Sequence, residues 1–288
     1  MAAAPSAQTR NLPLPPAGAA SRAAFNALLL RDLTVLRKNL GVFIARTLIQ
    51  PFLLVFVFLY VFPQIGEGIG GSSAGGLSAF ATVLVAGVVG LSIMFQGIQA
   101  VALPLANEFG FTKEIEDRVL APLPVSLVAI GKVVAGAIQG FISAAVVFPI
   151  AAVVHTQGAT PNLSVHWVLL VTMIPLTAVM TSSLGLVLGT RISPRNIGLM
   201  FGFIVLPLTF LGGTYYPWTA LSAIKVGGFP WLQALVSLNP LIYVTEGFRA
   251  ALTTAPHMPL YVIYPVLGAF CALFLWAGCQ GFQRRVIS

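Results

Sequence analysis

Seven acidic side chains serve 288 residues, and four of them, Glu108, Glu114, Glu116 and Asp117, crowd into one short stretch. Lys113 and Arg118 stand among them, and Ala121-Pro122-Leu123-Pro124 closes the run. Read as a helix over 108–120, the stretch has Phe111, Ile115 and Val119 in one narrow apolar stripe. Lys113, Glu114, Asp117 and Arg118 lie opposite, with Glu114 and Arg118 at the favourable i, i+4 spacing. The prolines lack a donor and restrict their predecessors, which ends the helix. Two readings follow: a solvated loop with a helical turn, or a charged helix that docks on a cytoplasmic partner.

The other candidates for chemistry are few. Asn239-Pro240 precedes Glu246 and Arg249, which share a helix face at i, i+3 if 241–252 is helical. A single buried charge there would cost several kcal/mol. The spacing therefore predicts that the two bond to each other, or to backbone ends freed where Asn239-Pro240 breaks the preceding helix; an ordinary extracellular loop is the alternative. His155, His166 and His257 have no metal-ligand spacing. Gly131-Lys132 lacks both the first glycine and the Ser or Thr of a Walker A loop. Cys271 and Cys279 would lie ~12 Å apart on one helix, too far to bond. The pattern points away from an enzyme and calls for no cofactor or metal.

The elements that position these residues are set by the bilayer. Hydrophobic residues make up 58% of the chain and charged ones 8%, with mean hydropathy +0.95. Soluble domains carry about 25% charged residues, so this is an all-α integral membrane protein. Its net charge of +8 is spread along membrane boundaries and does not indicate nucleic-acid binding. Residues 1–24, rich in Ala and Pro, read as a disordered cytoplasmic arm. In 25–40, Phe25, Leu29, Leu33, Leu36 and Leu40 recur at helical steps while Arg31, Arg37 and Lys38 face away. That is an amphipathic helix in contact with inner-leaflet lipid. Asp32 interrupts its apolar surface and either reaches water or meets a basic partner from another segment.

Residues 41–288 form the membrane domain. Six apolar stretches, at about 41–62, 78–103, 127–154, 167–189, 197–211 and 260–281, are spans by the ~20-residue criterion. Residues 212–257 hold a helical element re-entering the outer leaflet between spans five and six. With both termini inside, thirteen of fifteen basic residues fall on the cytoplasmic side, leaving Lys225 and Arg249 outside. Gly136/Gly140, Gly185/Gly189 and Gly198/Gly202 are small-xxx-small pairs, suited to close packing within the subunit or to a dimer interface.

Three stretches resemble one family. Glu108 to Pro124, continuing into Ala129-Ile-Gly-Lys132, is similar to the first cytoplasmic loop of ABC-2 type permeases, the membrane subunits of ABC exporters. Gly212-Gly-Thr-Tyr-Tyr-Pro217 resembles their turn after span five, and Asn239-Pro-Leu-Ile-Tyr-Val-Thr-Glu-Gly-Phe-Arg249 their Asn-Pro-Leu…Glu-x-Phe-Arg signature. The nearest branch is that of drug and nodulation-factor exporters. The resemblance implies two permeases, as a homodimer, over two copies of a separate ATP-binding subunit in the bacterial plasma membrane. Glu108–Arg118 becomes the coupling helix. The implied cargo is an amphipathic drug, lipid or lipid-linked glycan; polysaccharide export and an ion-coupled secondary carrier are the alternatives.

Overall fold

The computed structural model describes residues 17–65, 74–112, 115, 123–154 and 160–287. Lys113, Glu114, Glu116, Asp117 and Arg118, together with residues 1–16 of the expected arm, lie outside that set. The described residues form helices joined by turns, without a strand. Helix α1 covers Ala17–Lys38 and so begins ahead of Phe25, where the apolar repeat starts. Five helices are long and apolar enough to cross a bilayer: α2 (Leu40–Gln64), α3 (Ala74–Asn107, within a span reaching Gly110), α4 (Val125–Val153), α5 (Trp167–Arg191) and α9 (Leu260–Ile287). The stretch expected as a short fifth span is α6 (Gly198–Phe210), below the length of a full crossing by itself. Two shorter helices, α7 (Trp231–Val236) and α8 (Pro240–Leu252), lie between α6 and α9.

The bundle is built around α3, whose most apolar window is 78% buried, against 17% for α2 and 11% for α9. Lipid tails are as apolar as Leu, so helices associate in a bilayer through close backbone packing and interhelical hydrogen bonds. The glycine pairs serve that purpose. A Cβ at Gly185 of α5 would stand 2.8 Å from the Ile98 carbonyl oxygen of α3, and one at Gly189 3.1 Å from Ala102 Cα. Gly136 and Gly140 of α4 seat against Val101, Ile93 and Ala178 in the same way. Gly198 and Gly202 of α6 have nothing within 4 Å. Two of the three pairs therefore pack inside the subunit, and the third looks outward. Phe203 beside it is 78% exposed and Tyr261 on α9 79%, an outer surface fit for lipid rather than water.

Chain direction divides the bundle into two faces. The last residues of α3 and α5, the first of α4, and the C-terminal end of α9 meet at one end with α1: Phe109 packs edge-on to Phe282, and Arg285 reaches the Gly189 carbonyl. We call this the termini face. The opposite loop face holds residues 160–166, which lead into α5, and the whole of 212–259. Helix α8 is buried over all thirteen residues, and its C-terminal end bonds to the α4–α5 connection through Ser164 N–H to Leu252 O, 2.9 Å. Its ~20 Å length falls short of the ~30 Å hydrocarbon core.

Candidate functional site

The first charged cluster sits on α8. Asn239 caps the helix: its Oδ1 accepts the Leu241 N–H at 2.9 Å, Pro240 takes the first-turn position that needs no donor, and Asn239 Nδ2 donates to Leu208 O of α6 at 2.7 Å. About two turns onward, Glu246 and Arg249 are 0% exposed and form an ion pair. Glu246 Oε1 also accepts the Trp218 N–H at 2.7 Å, and Oε2 accepts the Met258 N–H at 2.7 Å. Arg249 donates to Gly213 O at 3.0 Å and, more loosely, to Tyr216 O at 3.5 Å.

This geometry decides between the two readings of the pair. A solvated loop is excluded by complete burial. The pair bonds internally, as the spacing predicts. Its backbone partners are Gly213, Tyr216, Trp218 and Met258 rather than the ends at Asn239-Pro240, because Asn239 caps those itself. One carboxylate thus joins the segment that leads into α7–α8, at Trp218, to the segment that leads out, at Met258. The element enters and leaves at the same place. Gly213 makes the turn possible with φ +69°, a conformation that disfavours any side chain, and Thr245 Oγ1 fixes it by donating to Gly212 O at 2.7 Å. Thr214 is then pushed against Gly87 of α3, where a Cβ would overlap its carbonyl.

The second cluster lies at the termini face. Lys132, 7% exposed on an otherwise apolar stretch of α4, bonds Glu108 at 2.5 Å and stands 3.9 Å from Asp32 of α1. Asp32 therefore meets a basic partner from another segment. Burying the lysine takes an acid from each neighbouring element, since an unpaired charge there is costly. Arg31 lines the cleft beside them; Arg37 and Lys38 occupy the last turn of α1, where cations complement the helix dipole.

The acidic stretch begins differently from the expected helix over 108–120. Residues Glu108–Thr112 continue α3 as a π-helical turn and do not start a separate helix. Pro104, within α3 and one turn earlier, leaves the helical ladder one donor short. Ile115 is 5% exposed and joins Val101, Leu105, Val128 and Val133, so this member of the predicted apolar stripe is used on the bundle itself. Of Phe111 only the backbone is described.

Reading the sequence alone missed four partners. Lys132 passes for a snorkelling lysine at a span end, although a single cation inside a long apolar segment is itself a signal. Arg285 reads as an inside-facing charge. In the fold it donates to the carbonyls of Gly189, Thr190 and Ile192, capping α5, and lies 4.7 Å over the Phe109 ring. The Trp218 and Met258 amides carry no side-chain signature at all. Among the described residues, no three His, Cys, Asp or Glu converge to hold a metal.

Comparison with known proteins covers both clusters. The model of the ABC-2 type transporter family matches residues 23–253, from α1 to the end of α8. The inner membrane transport permease YadH of Escherichia coli (strain K12) is 28% identical over 239 residues, 80% of this chain and 84% of that protein; the protein of that name in Shigella flexneri matches equally. The family match over 23–253 takes in Asp32, Glu108, Lys132, Glu246 and Arg249 together, on helices that pack as one membrane bundle, and the chain belongs to the ABC-2 type transporter family.

Proposed function

We propose that this chain is the permease subunit of an ATP-driven exporter of amphipathic molecules, coupled to its ATPase through the α3–α4 connection. As an ABC-2 member it is a transport membrane subunit that works with an ATP-binding ABC subunit. Beyond that, our reading has two permeases, as a homodimer, above two ATPases in a bacterial inner membrane, with both termini in the cytoplasm. Glu108, Phe111, Lys113, Glu114, Ile115, Glu116, Asp117 and Arg118 form the docking segment.

The observation that carries this is the Lys132 cluster. Glu108 is the first residue of the acidic connection, and Lys132 binds it to α4 while facing Asp32 of α1. A push on the connection is thereby transmitted to two helices at once. The cargo class is supported by an exposed apolar surface made mostly of Leu, Val, Ile and Phe. Drugs, lipids and lipid-linked glycans fit such a surface.

Reversing both charges at Glu116 and Asp117 tests the docking. Exposed ion pairs contribute little singly, so the double reversal is the informative variant. Co-purification with the ATPase and cargo-stimulated ATP hydrolysis should both fall; unchanged values in both would remove the docking role. Transport that persists without ATP hydrolysis and collapses with an uncoupler would instead identify an ion-coupled carrier.

A further inference from the structure

We infer that the cleft between α1, α2, α3 and α4 binds the phosphodiester headgroup of an amphiphile, anchored on Arg46. The inference goes beyond the transport role above and holds whether the bound molecule is cargo or a resident lipid. The cleft encloses about 700 Å³, within the range of small-molecule sites. It runs from Glu108 and Lys132 to Gln139, fourteen residues and so ~21 Å along α4 from Val125. Polar groups at that depth of a bilayer are costly and mark binding sites or pathways.

The hydrogen bonds show what the cleft lacks. Arg46 Nη2 donates to Gln99 Oε1 at 2.5 Å, and this is its one hydrogen bond among the described residues. Gln96 Nε2 donates to Gln139 Oε1 at 3.4 Å, and Thr47 Oγ1 to Gln96 Oε1 at 3.1 Å. Each of the three amide oxygens is thus occupied by a neighbour. The amide groups of Gln99 and Gln139 and four N–H donors of Arg46 remain for a ligand. Along the wall from Arg46 to Gln139 the unused donors outnumber the unused lone pairs of these three oxygens, which suits a ligand rich in acceptors.

Charge selects among such ligands. Arg31, Arg46 and Lys132 line the cleft against Asp32 and Glu108, an excess of one positive charge. A phosphodiester carries one negative charge, offers two oxygens to the planar fork of an arginine, and has no donor of its own. Donors spaced from Arg46 to Gln139 suit a headgroup with ester oxygens beyond the phosphate, more than the two oxygens of a fatty-acid carboxylate. Val35, Leu36, Phe43 and Leu103 form the apolar walls along which acyl chains would lie.

The test is a titration of the purified, delipidated permease–ATPase complex, followed by native mass spectrometry. The ligands are short-chain phosphatidylglycerol, the matched diacylglycerol, the matched fatty acid and free glycerol phosphate. Phosphatidylglycerol should bind once per permease. Arg46→Gln should weaken it about tenfold or more, Arg46→Lys less, and Gln139→Leu by a few-fold. Diacylglycerol should bind weakly and equally to all. Phosphatidylglycerol affinity unchanged in both Arg46→Gln and Gln139→Leu, or matched by the fatty acid, would overturn the assignment. Gln139→Leu decides the matter if Arg46→Gln does not assemble. Competition by glycerol phosphate would identify a soluble phosphate compound as the source, and its absence a lipid. The titration needs neither ATP nor docking, so its failure and the failure of the transport reading are separately visible.

Discussion

The Glu246–Arg249 pair is a clamp whose removal can be sized from its contacts. Both side chains are fully buried, so solvent screening does not discount the interaction. Arg249→Met leaves Glu246 with the Trp218 and Met258 amides but no counter-charge. Glu246→Gln leaves Arg249 buried with two carbonyls and no anion. Breaking one side of a buried pair costs about 3–5 kcal/mol. At about 2–4 °C per kcal/mol, each single variant should lose about 6–20 °C in its thermal midpoint. The double variant removes both charges and leaves neutral groups short of partners, at about 1–3 kcal/mol apiece. It should be no worse than the poorer single, which amounts to a coupling of about 3 kcal/mol or more in a double-mutant cycle. Heating detergent-solubilised protein and measuring the surviving monodisperse peak by size-exclusion chromatography reads these midpoints directly. Singles within about 2 °C of the parent, or a double variant that falls by their sum, would refute the clamp. Export lost in Glu246→Gln at full heat resistance would point to a cargo gate instead.

Further expectations follow from the same contacts. Lys132→Met strands Glu108 and Asp32 together and should reduce assembled complex several-fold, with Lys132→Arg recovering part of it, as read by yield after affinity purification; equal yields would separate Lys132 from assembly. Asp32→Asn should weaken coupling of ATP hydrolysis to cargo while insertion in the membrane persists, and normal coupled activity would return Asp32 to a merely solvated role. Gly87→Ala must displace the Thr214 backbone and should cost about 1–3 kcal/mol, whereas Gly198→Ala meets open space and should be neutral or slightly stabilising. Measured midpoints in the opposite order would place the 212–217 turn elsewhere. With Cys271 and Cys279 replaced, cysteines at exposed Lys225 and Thr254 should react together with an impermeant thiol reagent applied from outside, and one at fully buried Val244 should not react. Labelling of Lys225 and Thr254 from opposite sides would make α7–α8 a crossing.

What could be read from the sequence, and what could not, follows from how each interaction is encoded. Burial of apolar helices, the position of charges at their ends, the proline stops and the Asn239-Pro240 cap are properties of contiguous residues, and periodicity reports them. The pairing of Glu246 with Arg249 is also local, at i, i+3. Its function as a clamp is not, because the groups it holds are the amides of Trp218 and Met258 and the carbonyls of Gly213 and Tyr216, which any residue supplies. Glu108, Asp32 and Lys132 come from three helices, so each alone has an innocent explanation at a span boundary. The π-turn at 108–112 has no residue pattern of its own that periodicity could report. In a membrane protein the charged residues are few enough that every one inside a span needs a partner. Asking what each such charge would pair with, Asp32 and Lys132 above all, leads from sequence toward the termini-face cluster, since neither is buried without a charge of the other's sign.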